Sequence, residues 1–215
     1  MEHEFANPLT RQLVIGIDID NTISQSHPVI WKEFKKEFKG RVLFSESPDF
    51  YHLEKYTTAS LSEVEVFFDR LERDEEFILS YPSYKGANLI LNKWILEGHK
   101  LHYITARPAH SRVSTLSWLK KHEFPTENVS LDLHDRGRDT DAVSFKARIV
   151  KSLKIDLMIE DSLEIAQGLP IPSLLINHPW NQHAKLPPRI TRVSDWKEIE
   201  KLVLKLSYSS KSAER

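Results

Sequence analysis

A short, uninterrupted apolar run, Leu13-Val14-Ile15-Gly16-Ile17, stops abruptly at Asp18-Ile19-Asp20-Asn21-Thr22. A β-branched run of this length predicts a strand covered on both faces, as in a parallel sheet flanked by helices. In an extended segment, residues two apart point the same way, so Asp18 and Asp20 leave the strand on one side. The sheet must therefore carry two carboxylates at the carboxyl end of its first strand, where open α/β sheets bind their ligands.

Further runs of the same kind cover Lys100 to Thr105, Ile155 to Ile159 and Ser173 to Ile176, with a weaker one at Asn128 to Leu133. Helical periodicity covers Ala87 to Glu97, Ala109 to His122 and Val143 to Lys154, and this alternation predicts a doubly wound, Rossmann-like α/β fold. Residues 24–82 break the alternation. Trp31, Phe34 and Phe38 recur at helical spacing, as do Val64, Phe67, Phe68 and Leu71, so a small helical insertion is expected there, its aromatic stripes mostly packing it together. The expected organisation is an α/β core over 11–23 and 83–206, a helical cap over 24–82, and a polar, frayed tail over 207–215. His134 to Thr140 reads as an exposed, solvated loop.

With a net charge of −1 the chain has no basic field for a nucleic-acid polymer, so a phosphate-bearing ligand must be held by local groups. There is no cysteine, which removes disulfide and thiolate chemistry. No apolar run approaches a bilayer span and the start is polar, so no membrane partner and a cytoplasmic location are expected. Oligomeric state is not readable.

Two other strand ends carry polar groups. Ile104-Thr105-Ala106-Arg107-Pro108 places a hydroxyl and backbone amides before a helix that Pro108 could open, a setting that attracts anions. Ile159-Glu160-Asp161-Ser162 adds two adjacent carboxylates, oxygen donors suited to magnesium, and Lys146 on the preceding helix is a candidate counter-charge. Singly, each could be a helix cap or a surface residue. His27, His52, His102 and His110 read as structural or exposed, since this metal chemistry favours oxygen.

In their order and spacing these groups resemble the four motifs of the haloacid dehalogenase superfamily: Asp18-Ile19-Asp20-Asn21-Thr22, Thr105, Lys146 and Glu160-Asp161, with the insertion resembling that family's early-inserted helical cap. The resemblance implies a magnesium-dependent phosphatase in which Asp18 attacks phosphorus and Asp20 serves as general acid and then base. It places magnesium between Asp18, the backbone carbonyl of Asp20 and Asp161, with Glu160 secondary. Thr105, Ala106 and Lys146 would hold phosphate. Asn21 and Thr22 could add amide donors, and Arg107 could contact substrate or tie its loop to a neighbouring carboxylate.

Tyr81-Pro82, Gly86-Ala87 and Leu175-Ile176-Asn177-His178-Pro179-Trp180-Asn181 resemble the deoxyribonucleotidase-like branch. That branch implies a nucleoside or deoxynucleoside monophosphate as the small phosphorylated substrate, its base on an aromatic of the insertion: Trp31, Phe34, Phe44, Phe50, Tyr51 or Tyr56. A phosphatase for a sugar phosphate or other small metabolite, and a non-catalytic phosphate-binding protein, are the alternatives. The presence of Asp18, Asp20, Thr105, Lys146 and Asp161 together disfavours the last.

Overall fold

The computed structural model describes residues 11–43, 52–135 and 137–209; Phe44, Phe50, Tyr51 and Arg136 lie outside them. Six strands, β1 (Val14–Ile17), β2 (Lys100–Pro108), β3 (Ser130–His134), β4 (Leu157–Glu160), β5 (Ser173–Ile176) and β6 (Ile190–Val193), form one sheet in the order β3-β2-β1-β4-β5-β6. Every pairing is parallel, with Ile15 beside Leu101 on one side and Leu157 on the other. The chain direction of the winding reverses between β1 and β4, which makes their carboxyl ends the crevice of a doubly wound sheet.

Burial explains why β1 occupies the centre. Ile15 and Ile17 are inaccessible to solvent, and a Cβ on Gly16 would meet the Met158 Sδ at 2.7 Å and the Ile104 side chain at 3.1 Å. Only glycine lets the helix-side layer close over the middle of the sheet.

Eight α-helices are described: α1 (Ser26–Glu37), α2 (Leu61–Arg73), α3 (Glu75–Leu79), α4 (Ala87–Leu96), α5 (Arg112–Lys121), α6 (Ala142–Leu153), α7 (Leu163–Gly168) and α8 (Trp196–Ser209). None is long and apolar enough to cross a membrane. The segment between β1 and α4 leaves the sheet at Ser24 and returns at Ser83, where the two pair in an isolated antiparallel bridge. Within it Phe34 of α1 and Phe38, just past its end, meet Phe67 of α2 at ring distances of 5.5 and 5.6 Å, so this stripe is packing. A reciprocal Ser60–Glu63 capping box starts α2, and Arg41 pairs with the same Glu63.

Three expectations change. Thr105 to Pro108 stays in β2, with a register shift against β3 after Thr105, and α5 begins only at Arg112 after one 3₁₀ turn; no α-helix opens at Pro108. The 134–140 stretch is not simply solvated: His134 ends β3 and is buried, and the two Asp139 oxygens accept from Nε and Nη2 of Arg148 at 2.8 and 2.7 Å. Helix α8 continues through Ser207 to Ser209, beyond the expected core boundary at 206, while residues 210–215 lie outside the described set.

Candidate active site

Asp18 is the first residue past β1, and its backbone amide still donates to the Ile159 carbonyl at 3.0 Å. The side chain is almost fully buried. Its Oδ1 accepts from the Lys146 Nζ at 2.5 Å, whereas Oδ2, also buried, has no hydrogen-bond partner among the described residues. Lys146 reaches it because residues 145, 146, 149 and 150 of α6 form the helix's inward stripe, and Asp141 fixes the helix start by accepting from the Ser144 amide at 2.7 Å.

Glu160, at the end of β4, is completely buried. Its Oε2 accepts from Lys146 at 2.8 Å, and its Oε1 accepts the Asp161 and Ser162 amides at 3.3 and 3.2 Å. That carboxylate is spent on Lys146 and on shaping the turn, which makes it a supporting group. Asp18, Glu160 and Asp161 bring one oxygen each within 4.8 Å of one another. Lys146 pairs with two of these three buried carboxylates, Asp18 and Glu160. Such a set fits a hard divalent cation, and the unpartnered Asp18 Oδ2 is the atom left to take it.

Electrostatics follow this imbalance. Burial pushes the Asp18 carboxyl up to about 7, the Lys146 charge opposes that, and Glu160 and Asp20 add to it. Lys146 is held charged beyond the usual lysine range, because the carboxylates outweigh its own burial. Asp20 goes the other way. Burial raises it, but both its oxygens accept from Arg107, at 2.8 Å each, and the guanidinium holds it below the ordinary aspartate value. Of the two roles expected for Arg107, the structure shows the tie to a carboxylate: a third nitrogen donates to Thr115 at 3.1 Å and the group lies over the Tyr81 ring.

Thr105 is buried, with its hydroxyl accepting the Arg107 amide at 3.2 Å, and Ala106 lines the cavity above Asp18. The Asn21 and Thr22 amides are not available to a ligand, a correction to the expectation from the sequence. Asn21 donates to the Ser24 carbonyl and Thr22 to that of Ile19, closing the turn, while the Asn21 side chain accepts from the His27 amide at the start of α1.

Over these groups lies a cavity of about 660 Å³. Asp18, Asp20, Ala106, Arg107 and Lys146 form its floor. One face of α2 forms its wall, with Leu61, Val64, Glu65, Phe68, Asp69 and Glu72 at helical spacing, joined by Leu53 and Glu54. Phe68 is the aromatic on the wall. Trp31 and Phe34, expected as platforms, are buried in packing instead, and half-buried Tyr56 is not among the lining residues. The helical spacing of Phe68 was visible in the sequence; which face met the cavity was not.

A family profile described as the LNS2 domain of PITM 1–3 matches residues 73–166, less than half of the chain. Over 86% of this chain and 91% of its own length, a Bacillus subtilis protein named "Putative nucleotidase YqfW" is 29% identical. A Clostridium acetobutylicum protein named as a nucleotidase is 24% identical over 94% of this chain and 98% of its own. Among solved structures, a haloacid dehalogenase-like family hydrolase from Streptococcus pneumoniae superposes with a TM-score of 0.62 at 16% identity, covering 90% of this chain and 98% of that one. The chain therefore shares its fold with that hydrolase and nearly its whole length with relatives named as nucleotidases.

Proposed function

We propose that the chain hydrolyses phosphomonoesters with magnesium through an aspartyl-phosphate intermediate on Asp18, and that its substrates are nucleoside or deoxynucleoside monophosphates. The observation that carries the reading is the Asp18 carboxylate: one oxygen is held by Lys146, and the other is buried, unpartnered and beside two further acids.

In the first half of the cycle the Asp18 oxygen forms a bond to phosphorus as the bond to the leaving oxygen breaks, and Asp20 gives that oxygen a proton. In the second half Asp20 takes a proton from water as the water oxygen bonds to phosphorus, releasing Asp18 and inorganic phosphate. The Arg107 clamp suits the base half, since it holds Asp20 ionised. For the acid half the pair must open, and a phosphoryl oxygen in the cavity is the competing acceptor for the guanidinium. Magnesium, held by Asp18, the Asp20 carbonyl and Asp161, would offset the charge of two anions brought together. Lys146 and the Thr105-Ala106 segment hold the phosphoryl oxygens.

The segment over residues 24–82 acts as the cap that selects the leaving group. Leu61, Val64 and Phe68 offer apolar area to a base, and Glu54, Glu65, Asp69 and Glu72 can accept from hydroxyls and ring amines while repelling a second phosphate. The names of the relatives favour the nucleotide over a sugar phosphate.

The test is a panel of nucleoside monophosphates, nucleoside diphosphates and sugar phosphates assayed with magnesium, followed by acid quench and mass spectrometry of the Asp18 peptide. Phosphate on Asp18 and a monophosphate preference are expected; a steady state without phosphorylated Asp18 would refute the mechanism. Excess chelator should abolish turnover, and Asp161→Asn should require at least about tenfold more magnesium for half-activation, the scale of losing part of a metal site. Phe68→Ala should lower kcat/KM for a nucleoside monophosphate by roughly tenfold to a hundredfold, the worth of stacking one base. A small aryl phosphate should be nearly unaffected. Equal losses on both would remove Phe68 as the platform.

A further inference from the structure

The loop after β5 lies outside the cavity yet grips the two turns on which the acidic groups hang. The His178 Nε2 lies 2.8 Å from the Asn21 carbonyl, so that nitrogen must carry the proton and donate. From the same loop, Trp180 Nε1 donates to the Asp161 carbonyl at 3.3 Å, and Asn181 Nδ2 donates to the same carbonyl at 2.9 Å and to Ile176 at 2.8 Å. The Asn181 Oδ1 accepts the His178 amide at 3.2 Å, which ties the two ends of the loop together. The His178 and Trp180 rings stack, with centroids 4.3 Å apart, and His27 sets its edge against Trp180 at 5.1 Å. Arg192 of β6 holds the Asn181 carbonyl at 2.6 Å.

We infer that His178, Trp180 and Asn181 are positioning residues for the divalent cation, fixing the separation of the β1 and β4 turns so that the Asp18 and Asp161 carboxylates converge. The inference rests on the magnesium reading above and adds residues that never touch the ion. The physical ground is that magnesium demands near-ideal octahedral geometry at short distances, so a few tenths of an ångström of drift between two carboxylates weakens it. Asp18 and Asp161 come from strands adjacent in the sheet but from different turns. The loop spans from Asn21, one residue after Asp20, to Asp161 itself. Both contacts are made to backbone carbonyls, so they fix the turns without engaging the acidic side chains.

Magnesium titrated calorimetrically into the full chain decides this, with thermal melts run alongside. Asn181→Leu, close in size but without donors, should bind magnesium about tenfold to a hundredfold more weakly, the range for loss of an outer-shell partner. His178→Leu should behave likewise, and His178→Gln, which can still donate, should recover most of the affinity. Trp180→Phe keeps the stack and loses one donor, so a loss of about threefold to tenfold is expected, what one neutral hydrogen bond contributes. If Asn181→Leu does not fold, Trp180→Phe and the His178 pair carry the decision. Folded variants that bind magnesium within twofold of wild type would overturn the inference while leaving the metal reading intact. Asp161→Asn serves as the control: a wild-type binding signal that survives it, or no signal at all, would sink the metal reading and this inference with it.

Discussion

Asp18→Asn is expected to lower turnover by on the order of 10⁴-fold or more, the scale seen when a nucleophile is removed, while making the metal-free protein harder to melt at pH 8. The first effect follows because an amide of the same shape cannot form an acyl phosphate. The second follows from charge. Asp18, Glu160 and Lys146 make a buried group with two negative charges and one positive, and a neutral amide in place of the Asp18 carboxylate would leave the balanced Lys146–Glu160 pair. The sign can be checked by proton linkage. Burial raises the Asp18 carboxyl from 3.8 to about 7 in the folded chain, so between those values the native state holds the extra proton. The stability of the wild type therefore falls as pH rises through that window and stays low above it. The gain from Asp18→Asn should be largest above pH 7 and disappear as pH approaches 4. Turnover close to wild type in the folded variant would exclude Asp18 as nucleophile; a melting temperature lower than wild type at pH 8 without metal would contradict the charge balance.

Lys146→Met should destabilise the fold by about 3–5 kcal/mol at pH 8 without metal, the loss typical of breaking a buried pair from one side. Methionine fills much the same volume, so the loss is electrostatic: Asp18 and Glu160 would lose the lysine that now bonds to both. Urea unfolding gives the number, and its pH dependence gives the cause. As pH is lowered through the Asp18 titration, one carboxylate becomes neutral and the deficit should shrink. Saturating magnesium should shrink it at pH 8 as well. An unchanged unfolding midpoint at pH 8 would mean that Lys146 is not what compensates these acids. Phosphatase activity should be lost in either case.

The strands readable from sequence were those whose burial on both faces left a continuous apolar run, β1 and β5 most clearly. Edge strand β6 escaped because Thr191 and Arg192 interrupt four residues, and α7 because six residues hold too little periodicity. Asp18, Lys146, Glu160 and Asp161 could be singled out because strand ends and an inward helix stripe brought them to one crevice. Their pairing could not, since whether Arg107 faces substrate or Asp20 depends on the path of β2 past Thr105, a register shift that leaves no mark in composition. The same limit hid the grip of His178 and Asn181 on backbone carbonyls: a residue that acts through the main chain of a distant turn carries no motif. Phe68 and Trp31 share a periodicity and differ only in which way their helices roll.

Because a single face of α2 supplies six of the eight described wall residues, the proposed selection of the leaving group would be written along one linear stretch of about three helical turns. Retargeting then becomes a problem of short combinatorial libraries: randomising positions 61, 65, 68, 69 and 72 in one oligonucleotide would vary shape and charge together while leaving Val64 to anchor the helix. The strand ends and Lys146 would be untouched, so each library member would inherit the same reactive centre and differ only in what it admits.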